Sequence, residues 1–161
     1  MAVLAEEQST EVDEVGAPWH RMGIAVLALA GLLIAGYLLL YKIRVLGTIA
    51  CGSGGCETVQ ASPWAVFLGV PVPVWGVIGY LLIFVLALLG LQPRFERSRL
   101  LGLALFTAAA TGFAFSAYLT GVEAFLIRAW CRWCVGSAIV ATLIFALSLV
   151  ELPGILRRVE P

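Results

Sequence analysis

Charge is scarce in this sequence. Asp, Glu, Lys and Arg make up 12% of the 161 residues, against roughly a quarter in an ordinary globular chain. Ten basic residues meet ten acidic ones, so the formal net charge is zero and no basic field exists for nucleic acid. There is one histidine, His20, which lies away from every cysteine and receives no role. No repeat period and no low-complexity tract occur either, which excludes a solenoid. What the chain does have is apolar surface: 61% of its residues are hydrophobic and the mean hydropathy is +1.02. A chain of this size cannot hide so much apolar surface in one soluble core. Lipid must be its solvent, and a soluble enzyme and a disordered chain are both excluded.

Met22 to Tyr41 runs twenty residues without a charge, enough at about 1.5 Å per residue to cross roughly 30 Å of hydrocarbon. Val74 to Leu91, Leu100 to Val122 and Val135 to Val150 are also free of charge. The last has sixteen residues, and Trp133 and Cys134 extend it to eighteen. The expected fold is an all-α membrane protein, a bundle of four transmembrane helices. The first span is too long for a signal-peptide core, and no small-residue cleavage site follows it. Residues 1–18 (with Glu6, Glu7, Glu11, Asp13 and Glu14) read as a mobile acidic cytoplasmic tail, 19–152 as the membrane domain and 153–161 as a cytoplasmic C-terminal tail.

Four spans put both termini and the Gln92–Arg99 loop on one side. Arg21, Arg94, Arg97, Arg99, Arg157 and Arg158 stand there, six basic residues against four on the other side: Lys42, Arg44, Arg128 and Arg132. The positive-inside rule therefore makes the first side cytoplasmic. Cys51, Cys56, Cys131 and Cys134 then all lie outside, in a compartment that permits disulfides.

Cys131-Arg-Trp-Cys134 is a C-x-x-C at the entrance to the fourth span. Its sulfurs sit about one helical turn apart, within reach of a disulfide. The helix N-terminus, with Arg128 and Arg132, stabilises a thiolate there, most strongly on Cys131. Cys51-Gly-Ser-Gly-Gly-Cys56 has three glycines among four spacer residues and reads as a flexible loop pair that can meet two partners in turn. Structural staples explain the four cysteines less well, because a C-x-x-C bridge closes too short a loop to stabilise much. Zinc fits less still, since the other pair is C-x₄-C in an oxidising compartment. A redox relay is the expected use, with no metal.

Between Cys56 and the second span, Pro63, Gly69, Pro71 and Pro73 interrupt an apolar segment, so it is not one straight helix. Ser62-Pro63 reads as an N-cap with proline at N1. The expected product is a short half-helix in the first external loop, lying over a pocket that opens toward the outer leaflet. Trp64, Trp75, Trp130 and Trp133 read mainly as an interfacial aromatic belt, and Trp64 also as a wall for a ligand ring. Ala108, Ala109, Ala110, Thr111, Gly112 and Ser116 read as small packing residues on the third span. Glu123 reads as interfacial, beside Arg128, or as a proton route.

The arrangement resembles the vitamin K epoxide reductase (VKOR) family. The resemblance rests on a loop cysteine pair after the first span, a serine six residues past its second cysteine, and a C-x-x-C opening the fourth span. It is carried most strongly by Cys56-Glu-Thr-Val-Gln-Ala-Ser62-Pro-Trp64-Ala-Val-Phe67-Leu-Gly and by Cys131-Arg-Trp-Cys134. The resemblance implies that Cys134 makes the charge-transfer contact with a quinone, that Cys131 exchanges with Cys56, and that Cys51 faces a soluble partner. It also implies that Ser62 hydrogen-bonds a quinone carbonyl, with Trp64 and Phe67 at the pocket. The implied activity is a membrane thiol oxidoreductase that oxidises a thioredoxin-fold, disulfide-forming partner and reduces menaquinone, ubiquinone or a vitamin K-type quinone. Animal-type vitamin K or epoxide reduction is the alternative within the family. A non-enzymatic stapled or metal-binding membrane protein is the alternative outside it.

Three departures point to a bacterial-type homologue of an inner or plasma membrane. The loop spacer is shorter than in the animal enzymes, Ala138 stands where they carry a tyrosine, and the chain has no asparagine. No thioredoxin-like domain follows the fourth span, so the partner is expected as a separate secreted or periplasmic protein. The DsbB family has the two kinds of pair in the reverse order, which excludes it.

Overall fold

The computed structural model describes residues 19–52, 55–95 and 98–157. The acidic tail 1–18, Arg97 and Arg158 lie outside the described residues. In chain order the elements are α1 (Trp19–Lys42), α2 (Gly55–Ala61), a 3₁₀ turn (Pro63–Ala65), β1 (Val66–Phe67), β2 (Val70–Pro71), α3 (Val72–Gly90), α4 (Arg99–Gly121), a π-helical turn (Val122–Ile127) and α5 (Arg132–Arg157).

Four of these helices are long and apolar enough to cross a membrane: Trp19–Lys42, Val72–Gly90, Arg99–Ile127 and Arg132–Val150. The four-helix membrane bundle is therefore as expected, with each span within a few residues of its charge-free run. Local chemistry explains several of the ends. Ser98 caps α4 by accepting the Leu101 N–H, which satisfies one orphan donor of the first turn. Pro73 lies in the opening turn of α3, where a missing N–H costs nothing. α5 runs on past Val150, through Pro153, to Arg157.

α1 packs on α3 and α5, and α4 closes the bundle against α5 and α3. Ile24, Ala28, Ala35, Tyr80, Ile83, Ala87, Leu105, Ala109 and Ile144 form the buried centre. Small residues let the backbones approach. Gly31 lies so close to the Tyr80 ring that an added Cβ would collide with it. Val26, Leu33, Ile78, Leu82 and Leu143 face outward, as helices that are apolar on all sides do in lipid.

The two ends of the bundle differ. At one, the buried Arg21 donates from Nη1 to the Gly90 carbonyl at 2.6 Å, so a cation caps the C-terminus of α3. At the other, Cys51, Cys56 and Cys131 gather with Leu38, Ile49 and Val59 in a second buried cluster.

The first loop holds a short helix, but not where the Ser62-Pro63 signal placed it. The helix, α2, precedes Ser62, and one 3₁₀ turn follows it, with no side-chain cap from Ser62. Pro63 does start a helical turn. The chain then folds at once into the antiparallel pair Val66–Phe67 and Val70–Pro71, reversing at Leu68 and Gly69, both with positive φ. Such a turn leaves no length for a helix.

Candidate functional site

The loop pair is less free than its glycines imply. Cys51 and Cys56 form a disulfide, and both are buried. Cys56 lies in the first turn of α2, and its N–H points at the Cys51 sulfur at 3.3 Å. Gly55 permits this placement: a Cβ there would run into the Trp130 carbonyl oxygen, one residue before Cys131. Glycine is thus required by a close approach of two backbones, which brings α2 against the mouth of α5. Gly55→Ala is expected to lower stability by about 1–3 kcal/mol, the usual cost of overpacking, despite alanine's better helix propensity. Thermal unfolding in detergent reads it.

Four further contacts fix the loop. Ala50, just before Cys51, donates its N–H to the Tyr37 hydroxyl at 2.9 Å. Its carbonyl accepts from the Trp133 indole at 3.0 Å. The Tyr37 and Trp133 rings lie 4.8 Å apart. Lys42 donates to the Gln60 carbonyl, a cation on the C-terminal turn of α2. Trp133, read from the sequence as a belt residue, therefore holds the loop cysteines against the helix cysteines. Trp130 is 55% exposed and stays with the belt reading.

Cys131 and Cys134 are free thiols. Cys131 occupies the position just before the first residue of α5, and its sulfur lies 3.3 Å from the Cys134 N–H, the geometry of an N-cap made by sulfur. The Cys134 thiol and the Cys134 and Trp133 backbone N–H groups hold the Cys131 pKa below its ordinary value, against burial and the nearby Glu123 charge. The Arg132 guanidinium lies alongside the loop at Gly52. This is the thiolate-favouring end of the helix that the sequence implied.

Glu123, read from the sequence as interfacial or as a proton route, is 4% exposed and packed within the protein. Its Oε2 accepts the Cys131 N–H at 3.1 Å, and the Cys134 thiol is a second hydrogen-bonding neighbour. The π-helical turn Val122–Ile127, ended by Arg128 with φ 56°, swings the carboxylate under the C-x-x-C. Such turns are frequent at functional sites. Charge count and hydropathy carry no signal for this turn.

Beside the C-x-x-C lies a cavity of about 760 Å³, walled by α3, α4, α5 and the loop segment, within the range of small-molecule sites. Cys134 and Glu123 line it, as do Ser62, Trp64 and Phe67. Cys131 does not: it is buried within the cluster that holds the loop disulfide, whereas Cys134 packs at that cluster's edge and also lines the cavity. Phe67 meets Phe115 edge-on at 5.4 Å, and Trp75 donates its indole N–H to the Phe67 carbonyl at 3.2 Å. Trp75 thereby fastens the loop over the cavity.

Most polar groups of this wall are already committed. Ser62 gives its proton to the Val59 carbonyl at 2.7 Å. Tyr80 donates to the Ser137 carbonyl at 2.8 Å. Thr107, Thr111 and Thr120 each donate one turn back along α4. Gln60, which the motif passes over, also lines the cavity. It was findable as an amide between Val59 and Ala61, two residues before Ser62. Among the described residues no group of three or more His, Cys, Asp or Glu is placed to hold a metal ion.

The model of the Vitamin K epoxide reductase family matches residues 22–149, a stretch that takes in nearly all of the four spans and all four cysteines. The chain therefore belongs to the Vitamin K epoxide reductase family and is a membrane oxidoreductase.

Proposed function

We propose that this protein oxidises a separate thioredoxin-fold, disulfide-forming partner and passes the electrons through its two cysteine pairs to a membrane quinone. The observation that carries this reading is the division of the C-x-x-C. Cys131 is buried with the loop disulfide, and Cys134 lines the apolar cavity. A staple or a zinc site has no use for that division. By the positive-inside excess, the cysteine end faces the oxidising side and both termini face the cytoplasm.

Each transfer is a thiol–disulfide exchange through a mixed disulfide. The partner's thiolate attacks Cys51, releasing Cys56. The partner's second thiol then resolves the link, leaving the partner oxidised and Cys51 and Cys56 as thiols. Cys51 is 3% exposed, so this attack requires the loop to open. Cys56 next attacks Cys131 of an oxidised Cys131–Cys134 pair, and Cys134 leaves as a thiolate. Attack of Cys51 on Cys56 restores the loop disulfide and frees Cys131. The net transfer to the helix pair is two electrons.

A quinone bound in the cavity supplies the oxidising power, taking two electrons and two protons as the Cys131–Cys134 dithiol returns to a disulfide. The residues fit such a headgroup: the wall is apolar, aromatic rings of Trp64 and Phe67 border it, and Cys134 and Glu123 lie together on it. Glu123, within hydrogen-bonding reach of the Cys134 thiol, takes that thiol's proton.

The test is turnover by the purified protein with a reduced thioredoxin-fold donor and a short-tailed quinone. Donor thiols and quinone absorbance are expected to disappear together, one quinone for each disulfide formed. Donor oxidation that is indifferent to quinone, or zinc bound at one ion per protein, would overturn the reading.

A further inference from the structure

Gln60 is 5% exposed and lines the cavity. Its Oε1 is the buried side-chain nitrogen or oxygen that, among the described residues, has no hydrogen-bond partner. An orphaned buried amide oxygen is costly, and it sits on a wall where most of the hydroxyl groups have already given their protons to backbone carbonyls. Ser62, Tyr80, Thr107, Thr111 and Thr120 all donate to backbone carbonyls. The helix that carries Gln60 is itself fixed, by Lys42 on the Gln60 carbonyl and by the close packing of Gly55 on Trp130. The amide is therefore presented on a rigid element rather than on a loose loop.

We propose that Gln60 is a binding residue for the quinone headgroup, with its side-chain carbonyl accepting the O–H of the reduced hydroquinone form. This rests on the quinone reading above and adds to it the polar anchor. An amide carries both an acceptor and two donors. A quinone carbonyl can only accept and a hydroquinone hydroxyl can donate, so one side chain serves both oxidation states. The Ser62 hydroxyl, whose proton goes to Val59, is left with acceptor capacity and cannot donate to a quinone carbonyl without losing that bond.

The variants are Gln60→Leu and the more nearly isosteric Gln60→Met. Binding is read by thermal unfolding of detergent-solubilised protein, without ligand and with a short-tailed benzohydroquinone kept reduced. Turnover is measured separately against the quinone form. Without ligand, neither variant should unfold earlier than the parent, since each removes a buried carbonyl oxygen that has no partner. With hydroquinone, both should show a weakened stabilisation equivalent to about tenfold poorer binding, the scale of one hydrogen bond. The KM for quinone should rise by about the same factor, with donor oxidation at saturating quinone preserved.

Equal hydroquinone stabilisation in parent and variants overturns the role of Gln60 while leaving the quinone reading intact. Failure of the parent itself to bind or reduce any quinone overturns the quinone reading instead. If both variants fail to fold, the amide is a structural member and the proposal falls.

Discussion

Replacing Cys134 by serine is expected to stop quinone-dependent turnover and to leave the protein holding a disulfide between Cys56 and Cys131. Cys131 is packed with Cys51 and Cys56 in one buried cluster, and its pKa is lowered by the hydrogen bond from Cys134 and the neighbouring backbone N–H groups. A serine hydroxyl and its N–H at position 134 keep most of that stabilisation. The Cys131 thiolate still attacks Cys56 of the loop disulfide and releases the Cys51 thiol, but no second helix thiol remains to carry the oxidation to the quinone. The mixed disulfide can then only revert by return attack of Cys51, so alkylating Cys51 as it is released traps it. Cys131→Ser removes the helix cysteine buried within the loop cluster and leaves Cys134, which packs at the cluster's edge and lines the cavity, so it should be equally inactive without forming a link between the pairs. Both losses should be about 10³-fold or greater, as when an essential nucleophile is removed. Peptide mapping without reduction distinguishes the variants. A link between the pairs in Cys131→Ser, or normal turnover in Cys134→Ser, would sink the proposed order of transfer.

The bundle and the cysteines were legible in the chain for simple physical reasons. A charge-free run of about twenty residues has few fates other than a membrane span, and a C-x-x-C at a helix entrance declares itself by spacing. Groups whose role depends on how the chain turns between elements were harder to read. Glu123 reads as interfacial or as a proton route by position, and the π-helical turn that carries it beneath Cys131 is not legible from charge or hydropathy. Trp133 looks like a belt residue until its indole N–H is seen on the Ala50 carbonyl. Ser62-Pro63 is a sound helix-start signal, but local propensity cannot show that a tight hairpin reclaims the chain three residues later. Gln60 carried a weaker signal, because an amide between two apolar residues draws notice only when its partners can be counted. In each case the missing information was tertiary, a hydrogen bond or close approach between segments far apart in sequence.

Glu123→Gln should separate proton handling from thiol exchange. Glutamine keeps a carbonyl oxygen for the Cys131 N–H, so the geometry at the start of α5 is retained, but it cannot take a proton from Cys134. Quinone reduction is expected to slow by about 10²-fold, at the lower end of what a positioned general base contributes. Exchange between Cys131 and the loop disulfide should respond in the opposite sense. The Glu123 charge opposes the Cys131 thiolate, so removing it lowers the thiol pKa further. The thiolate is present above that pKa and lost as pH falls through it. In the parent, exchange should accordingly persist below the ordinary thiol range, around pH 8.5. In Glu123→Gln the falling limb should move to still lower pH. Stopped-flow measurement of exchange, with the Cys134→Ser background blocking the quinone step, gives the profile for each form. An alkaline displacement would mean that the carboxylate acts on Cys131 chiefly by holding its backbone. Unchanged quinone reduction would remove Glu123 from the proton path. A slowed quinone step with an acid-shifted exchange limb is the combination that only a proton-accepting carboxylate beside both thiols produces.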